Sequence, residues 1–156
     1  MFAAENKKLI EKFYTAFQKL DAGAMADCYH ADVRFYDPVF LHLNATEAGA
    51  MWRMLCSGAK RLEITFGDIQ TNEQTGSAHW EARYDFSATG RPVHNKIEAE
   101  FEFKDGKIIK HKDAFDFWKW SSQALGPVGL LLGGTPIVRG KVQKQAAERL
   151  AKFINL

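Results

Sequence analysis

Apolar side chains recur at three- and four-residue intervals over the first part of the chain and at every second position afterwards, so the pattern predicts helices first and strands later. Leu9, Ile10, Phe13, Phe17 and Leu20 form one stripe, which predicts an amphipathic helix from Ala4 to Leu20. Asp21 and Gly23 interrupt it, and Asp21 is placed to cap a shorter helix through about His30 with Met25, Cys28 and Tyr29 turned inward. Val33, Phe35 and Asp37 then share one face of a strand, Arg34 and Tyr36 the other. Pro38 ends that strand because it has no N–H to offer a neighbour. Asn44 or Thr46 can cap a helix through about Ser57 that carries Met51, Trp52, Met54 and Leu55, and Gly58 closes it.

From Arg61 the period becomes strand-like. Leu62, Ile64 and Phe66 alternate with polar residues, then Trp80, Ala82, Tyr84 and Phe86 share a face, then Ile97, Ala99, Phe101 and Phe103. Lys104-Asp105-Gly106-Lys107 carries the Asp-Gly signal of a tight hairpin, and a last long strand is expected from Lys107 to about Trp120. Helices followed by four long strands joined through turns predict an α+β fold, in which a curved antiparallel sheet wraps around the helices and leaves an open mouth. Residues 1–126 are expected to form this domain. Residues 127–156 return to helical spacing through Val138, Val142, Ala146, Leu150, Phe153 and Ile154, and are expected to pack on the domain or on a partner subunit.

Composition adds a large aromatic content, 12 Phe, 4 Trp and 4 Tyr in 156 residues, so rings are expected to line the core or a cavity. The net charge of +2 is spread along the chain, and basic residues such as Lys104, Lys107 and Lys110 alternate with Glu102, Asp105 and Asp113; no nucleic-acid partner is expected. Two cysteines in apolar helical patterns, Cys28 and Cys56, suit free thiols in a cytoplasmic protein. No apolar leader is visible at the start. The most apolar run, residues 128–134, is far too short to span a bilayer, so no membrane partner is expected.

Against this background three polar residues stand out. Asp37 is an acid on an otherwise apolar strand face, where poor solvation favours its neutral form; the plainer reading is a solvated turn residue before proline. Strand alternation from Ile109 puts His111, Asp113 and Phe115 on the core face as well, and the carboxylate two residues away favours a protonated imidazole. Buried polar groups need partners, so the pair implies either a wet pocket or an internal hydrogen bond that fixes the sheet. Trp80, Tyr84, Phe101, Phe103 and Phe115 are candidate pocket walls, with Trp52 and Tyr14 contributed by the helices. The five histidines show no paired metal-ligand spacing, and no phosphate loop or nucleophile elbow is present; neither a metal nor a cofactor is expected.

Phe13-Tyr14-Thr15-Ala16-Phe17, then residues 28–39 ending in Asp37-Pro38-Val39, then Asp105-Gly106-Lys107-Ile108 occur in an order that resembles the nuclear transport factor 2-like superfamily, the cone-shaped fold of ketosteroid isomerase and SnoaL-like polyketide cyclases. The resemblance covers roughly residues 6 to 120. It implies a proton-shuttling role for Asp37. The family's oxyanion donors fall at Phe13, beside Tyr14, and at Ala99, so steroid isomerase activity is not implied in full. The spacing of His111, Asp113 and Asp116 is similar to SnoaL-like proteins, which implies a pocket acid at Asp113 or Asp116. A homodimer is implied too. Two functions are therefore carried forward. One is a cofactor-free acid–base isomerase or cyclase acting on a small apolar carbonyl compound through Asp37, His111 and Asp113. The other is a non-catalytic module that binds an apolar ligand or dimerises.

Overall fold

The apolar stripe of the first helix, α1 (Phe2–Gln18), buries Ile10, Phe13, Tyr14 and Phe17 completely or nearly so, and the remaining elements are arranged around it. The computed structural model describes residues 2–155, so the outermost residue of each expected span, Met1 and Leu156, lies outside the described residues. Asp21 caps α2 (Ala22–Asp27) by accepting from the Ala24 amide. This helix stops short of the expected His30, because the chain enters β1 (Tyr29–Tyr36) at Tyr29. Asn44 and Glu47 form a reciprocal capping box at the start of α3 (Ala45–Gly58).

Four long strands follow the N-terminal helices: β2 (Lys60–Thr71), β3 (Thr75–Asp85), β4 (Pro92–Lys104) and β5 (Lys107–Ala114). Asp105 and Gly106 both take positive φ in the β4–β5 turn, the geometry that suits the natural twist of a hairpin. The sheet order is β1-β5-β4-β3-β2, curled and unclosed. Register shifts interrupt the β2–β3 pairing at two places in β2, where Arg61 and Asp68 adopt left-handed backbone, and irregularities of this kind bend a strand.

Two features depart from expectation. First, β1 joins the sheet parallel to β5, with Phe35 opposite His111 and Tyr36 opposite Lys112, so the sheet is not antiparallel throughout. Second, β5 ends at Ala114 rather than near Trp120. Asp116 has extended backbone and its carboxylate accepts from the Lys119 amide, which starts α4 (Phe117–Leu125). Phe117, Trp120 and Ala124 recur at helical spacing and bury against Val93 and Val138, so the helix hides more apolar surface than a continued strand would. Gly126, at φ +70°, ends α4. Two further helices complete the chain, α5 (Pro127–Leu132) and α6 (Pro136–Ile154). Leu150 of α6 is buried in the main core, and Gln143 donates to the Pro38 carbonyl at 3.0 Å, so α6 packs on its own domain beside the chain that follows β1.

Candidate active site

Because β1 and β5 run in parallel, their C-terminal ends reach the same rim of the sheet. Asp37 follows Tyr36 and Asp113 follows Lys112, which places the two acids side by side across the strand pair. Both line a cavity of about 520 Å³ between α3, the inner face of β2–β4 and α6. Its walls are rings: Phe17, Phe40, Trp52, Trp80, Phe115 and Phe153. This volume suits a small organic ligand.

Asp37 is no longer part of the strand. Its Oδ1 accepts from the amides of Val39 (2.7 Å) and Phe40 (2.6 Å), and its own N–H donates to the Phe40 carbonyl, so it folds the chain into an Asx turn behind Pro38. The plainer sequence reading had the turn right. The residue is half-buried in the apolar cavity wall, and loss of hydration dominates its proton affinity. Burial raises the pKa from 3.8 to about 7; the Phe40 amide opposes this, the nearby charge of Asp113 adds to it, and the Val39 amide again opposes. At neutral pH both protonation states of Asp37 are populated.

Asp113 ends a buried chain of hydrogen bonds. The Trp52 indole donates to the Tyr29 hydroxyl (2.9 Å), that hydroxyl lies 2.8 Å from His111 Nδ1, and His111 Nε2 lies 2.9 Å from Asp113 Oδ1, which also accepts from the Trp80 indole at 3.2 Å. Burial pushes the Tyr29 phenol well above its usual range, so it keeps its proton and needs an acceptor. With Trp52 already donating to that oxygen, the Tyr29 proton is satisfied only if Nδ1 accepts it, which leaves Nε2–H to donate to Asp113. This arrangement calls for the neutral Nε2–H tautomer, whereas the strand spacing alone had suggested a protonated ring. His111 is fully sealed beneath Phe13, Phe35, Trp52 and Phe101, the last with its ring centre 4.5 Å away. It does not line the cavity, so it can act on a ligand only through Asp113. No described residue donates to Asp113 Oδ2, which is left for the cavity.

Of the other sequence candidates, Trp52, Trp80, Tyr84 and Phe115 line the cavity, and Tyr14, Phe101, Phe103 and Asp116 do not. Tyr14 is sealed in the core, stacked on Phe66 with its hydroxyl unpartnered among the described residues. Phe101 lies behind His111, and Phe103 stacks on Phe101. Asp116 is exposed and serves as the α4 cap, so Asp113 is the acid that faces the cavity.

Two polar groups in the cavity wall have capacity to spare. The Tyr84 hydroxyl accepts from the Trp120 indole (2.9 Å) and its own hydrogen has no acceptor among the described residues. The Asn95 side-chain amide makes no hydrogen bond to the described chain. Asn95 was not among the sequence candidates, although it lies on the same face of β4 as Val93 and Ile97, the signal that exposed Asp113 on β5. Arg149 and Lys152 of α6 also border the cavity, both exposed. Among the described residues no group of three or more His, Cys, Asp and Glu is placed to hold a metal ion, and no helix is long and apolar enough to cross a membrane.

A curled, unclosed sheet wrapped over helices, with carboxyl groups opening into a ring-lined chamber, defines a cone-type α+β protein. The sequence profile of the SnoaL-like domain matches residues 10–111, and the chain belongs to that family. No curated protein sequence matches it. Among solved structures it is similar to an LEH-like epoxide hydrolase of M. tuberculosis, with 19% identity and a TM-score of 0.67 over 83% of this chain and 97% of that one. A protein of Jannaschia sp. CCS1, provisionally titled a SnoaL-like polyketide cyclase, gives 13% identity and a TM-score of 0.70 over 81% and 95%. TsrD of Streptomyces laurentii gives 22% identity and a TM-score of 0.65 over 77% and 94%. At these identities the likeness is one of fold.

Proposed function

We propose that the chain is a cofactor-free acid–base enzyme that moves a proton on a small, largely apolar carbonyl compound held in the chamber. The observation that carries this reading is Asp37, a carboxyl with a pKa of about 7 in the wall of an apolar cavity that it shares with Asp113. In its ionised form Asp37 accepts the proton from the carbon next to the carbonyl. The Tyr84 hydroxyl and the Asn95 amide offer unused N–H and O–H donors to the oxygen that becomes negative, where preorganised donors are most effective. Asp113 is the second carboxyl, and His111, Tyr29 and Trp52 are positioning residues that fix its orientation. The ring walls exclude water and select an apolar substrate.

The test is hydrogen–deuterium exchange of a bicyclic ketone, 2-decalone, followed by NMR in deuterated water. Wild type is expected to accelerate exchange and Asp37→Asn to lose roughly a hundred-fold or more of that rate. Equal rates for the two proteins would rule the role out. Tight binding without exchange by either protein would favour the non-catalytic module.

The same pair of acids supports a second reading, addition of water to an epoxide, with neutral Asp37 protonating the epoxide oxygen while Asp113 Oδ2 takes a proton from water. The M. tuberculosis relative carries the name of such an enzyme. Diol formation from an apolar epoxide, with no ketone exchange, selects this reading.

A further inference from the structure

The short helix α5 is inside out. Its glycine side, not its apolar side, packs inward: a Cβ on Gly129 would sit 1.9 Å from the Ser121 carbonyl oxygen, so α5 lies on α4 backbone to backbone. Val128, Leu130, Leu131 and Leu132 therefore face solvent, Leu131 at 78% exposure. Ile137, at the start of α6, is 81% exposed and extends the surface. Trp118 joins it, half-exposed, with its indole N–H bonded to the Leu130 carbonyl and its ring against Gly134. A contiguous apolar projection of this kind is unusual on the surface of a lone domain.

Its electrostatic setting decides between occupants. The segments that flank the patch carry Lys119, Arg139, Lys141 and Lys144, and no acid at all lies between residues 117 and 147. The rest of the chain is net negative. A second copy docked patch to patch would bring these cations against their own counterparts, an unfavourable arrangement at close range. An anionic lipid surface offers them partners. It also accepts exposed leucines in its acyl region and an indole at the headgroup boundary.

We propose that the α4–α5–α6 corner is an interfacial anchor for an anionic lipid bilayer, with the α5 leucines and Ile137 inserted and Lys119, Lys141 and Lys144 on the headgroups. The anchor would lie on the bilayer surface, in keeping with the absence of a membrane-crossing helix among the described residues. It is independent of the acid–base reading. Because α6 also borders the cavity, the same contact holds the chamber close to a source of apolar molecules.

The experiment is flotation of the full chain with vesicles of phosphatidylcholine alone and of phosphatidylcholine with about one-third phosphatidylglycerol. The full chain is expected to float with the anionic vesicles only and to be released by high salt. Leu131→Asp, at an exposed position, and the double variant Lys141→Glu/Lys144→Glu, which leaves the apolar patch intact, are each expected to weaken binding by roughly ten-fold or more. Circular dichroism checks that both remain folded. Failure of the wild type to float overturns the proposal, as does equal binding to neutral vesicles that ignores the charge reversal. A dimer that Leu131→Asp dissociates, without vesicle binding, would also overturn it and assign the patch to a second copy.

Discussion

Replacing Asp37 by Asn should stabilise the protein at alkaline pH and do so less at acid pH. Asn keeps the Asx turn, since its amide oxygen can accept from Val39 and Phe40 as the carboxyl does, but it carries no charge to bury. The native pKa of about 7 lies above the ordinary 3.8, so the folded protein holds a proton that the unfolded chain releases between those values. For a raised carboxyl the sign is therefore the reverse of the common salt-bridged case: stability falls as pH rises from about 4 through about 7. The full difference corresponds to about 4 kcal/mol, of which roughly 1.5 is already expressed at pH 5. The gap between Asp37→Asn and wild type should thus widen by about 2 to 3 kcal/mol between pH 5 and pH 8, or roughly 5 to 10 °C in Tm for a chain of this size. Thermal and urea melts of the two proteins across that range measure it, and the titrating groups that do not interact with Asp37 cancel in the comparison. A gap that does not change with pH would mean that Asp37 is solvated and titrates like a surface acid. A variant gaining stability while losing exchange activity is the signature of a group retained for function.

Asp113→Asn removes the neighbouring charge that helps to raise Asp37, so the acidic limb of a kcat/KM profile, set near pH 7 by Asp37, should move to lower pH; an unmoved limb refutes the coupling between the two acids. His111→Leu removes the acceptor of the Tyr29 hydroxyl and one of the two donors to Asp113 inside the core, and a loss of about 3 kcal/mol in urea melts is expected; a cost under about 1 kcal/mol would show that the chain of bonds is not formed. Gly129→Ala forces α5 off α4 by adding a methyl where the Ser121 carbonyl lies, and protease sensitivity should rise in residues 126–135 while the cone stays intact; an unchanged cleavage pattern contradicts the backbone contact.

The elements were legible because each buries one face and the period of the apolar residues reports that face directly. Asp113 was visible in the same way, as a polar residue at an inward position of β5. Three things were not. Strand alternation tells which face a side chain takes but not how deep it lies, so His111, Asp113 and Phe101 read alike although only Asp113 opens into the cavity. The parallel pairing of β1 with β5, which makes neighbours of Asp37 and Asp113, joins segments more than seventy residues apart and leaves no local trace. The start of α4 was hidden because Asp113, Phe115 and Phe117 continue the two-residue alternation past the point where Asp116 caps a helix. Asn95 takes an inward position of β4 between Val93 and Ile97, but a neutral amide next to His94 and Lys96 marks a site less sharply than a charged group does.

The polar groups sealed in this core separate structure from function. Tyr29, His111, Trp52 and Trp80 satisfy one another and end on a single oxygen of Asp113, so the set could be retained for rigidity alone. Asp37 cannot be explained that way. An asparagine would keep both amide bonds, and the carboxyl brings a cost that rises with pH and that those bonds only partly offset. Such a cost beside an open cavity is what the proposed acid–base role requires, with Asp37 as the group that exchanges the proton and Asp113, held by the sealed hydrogen bonds, as the second carboxyl.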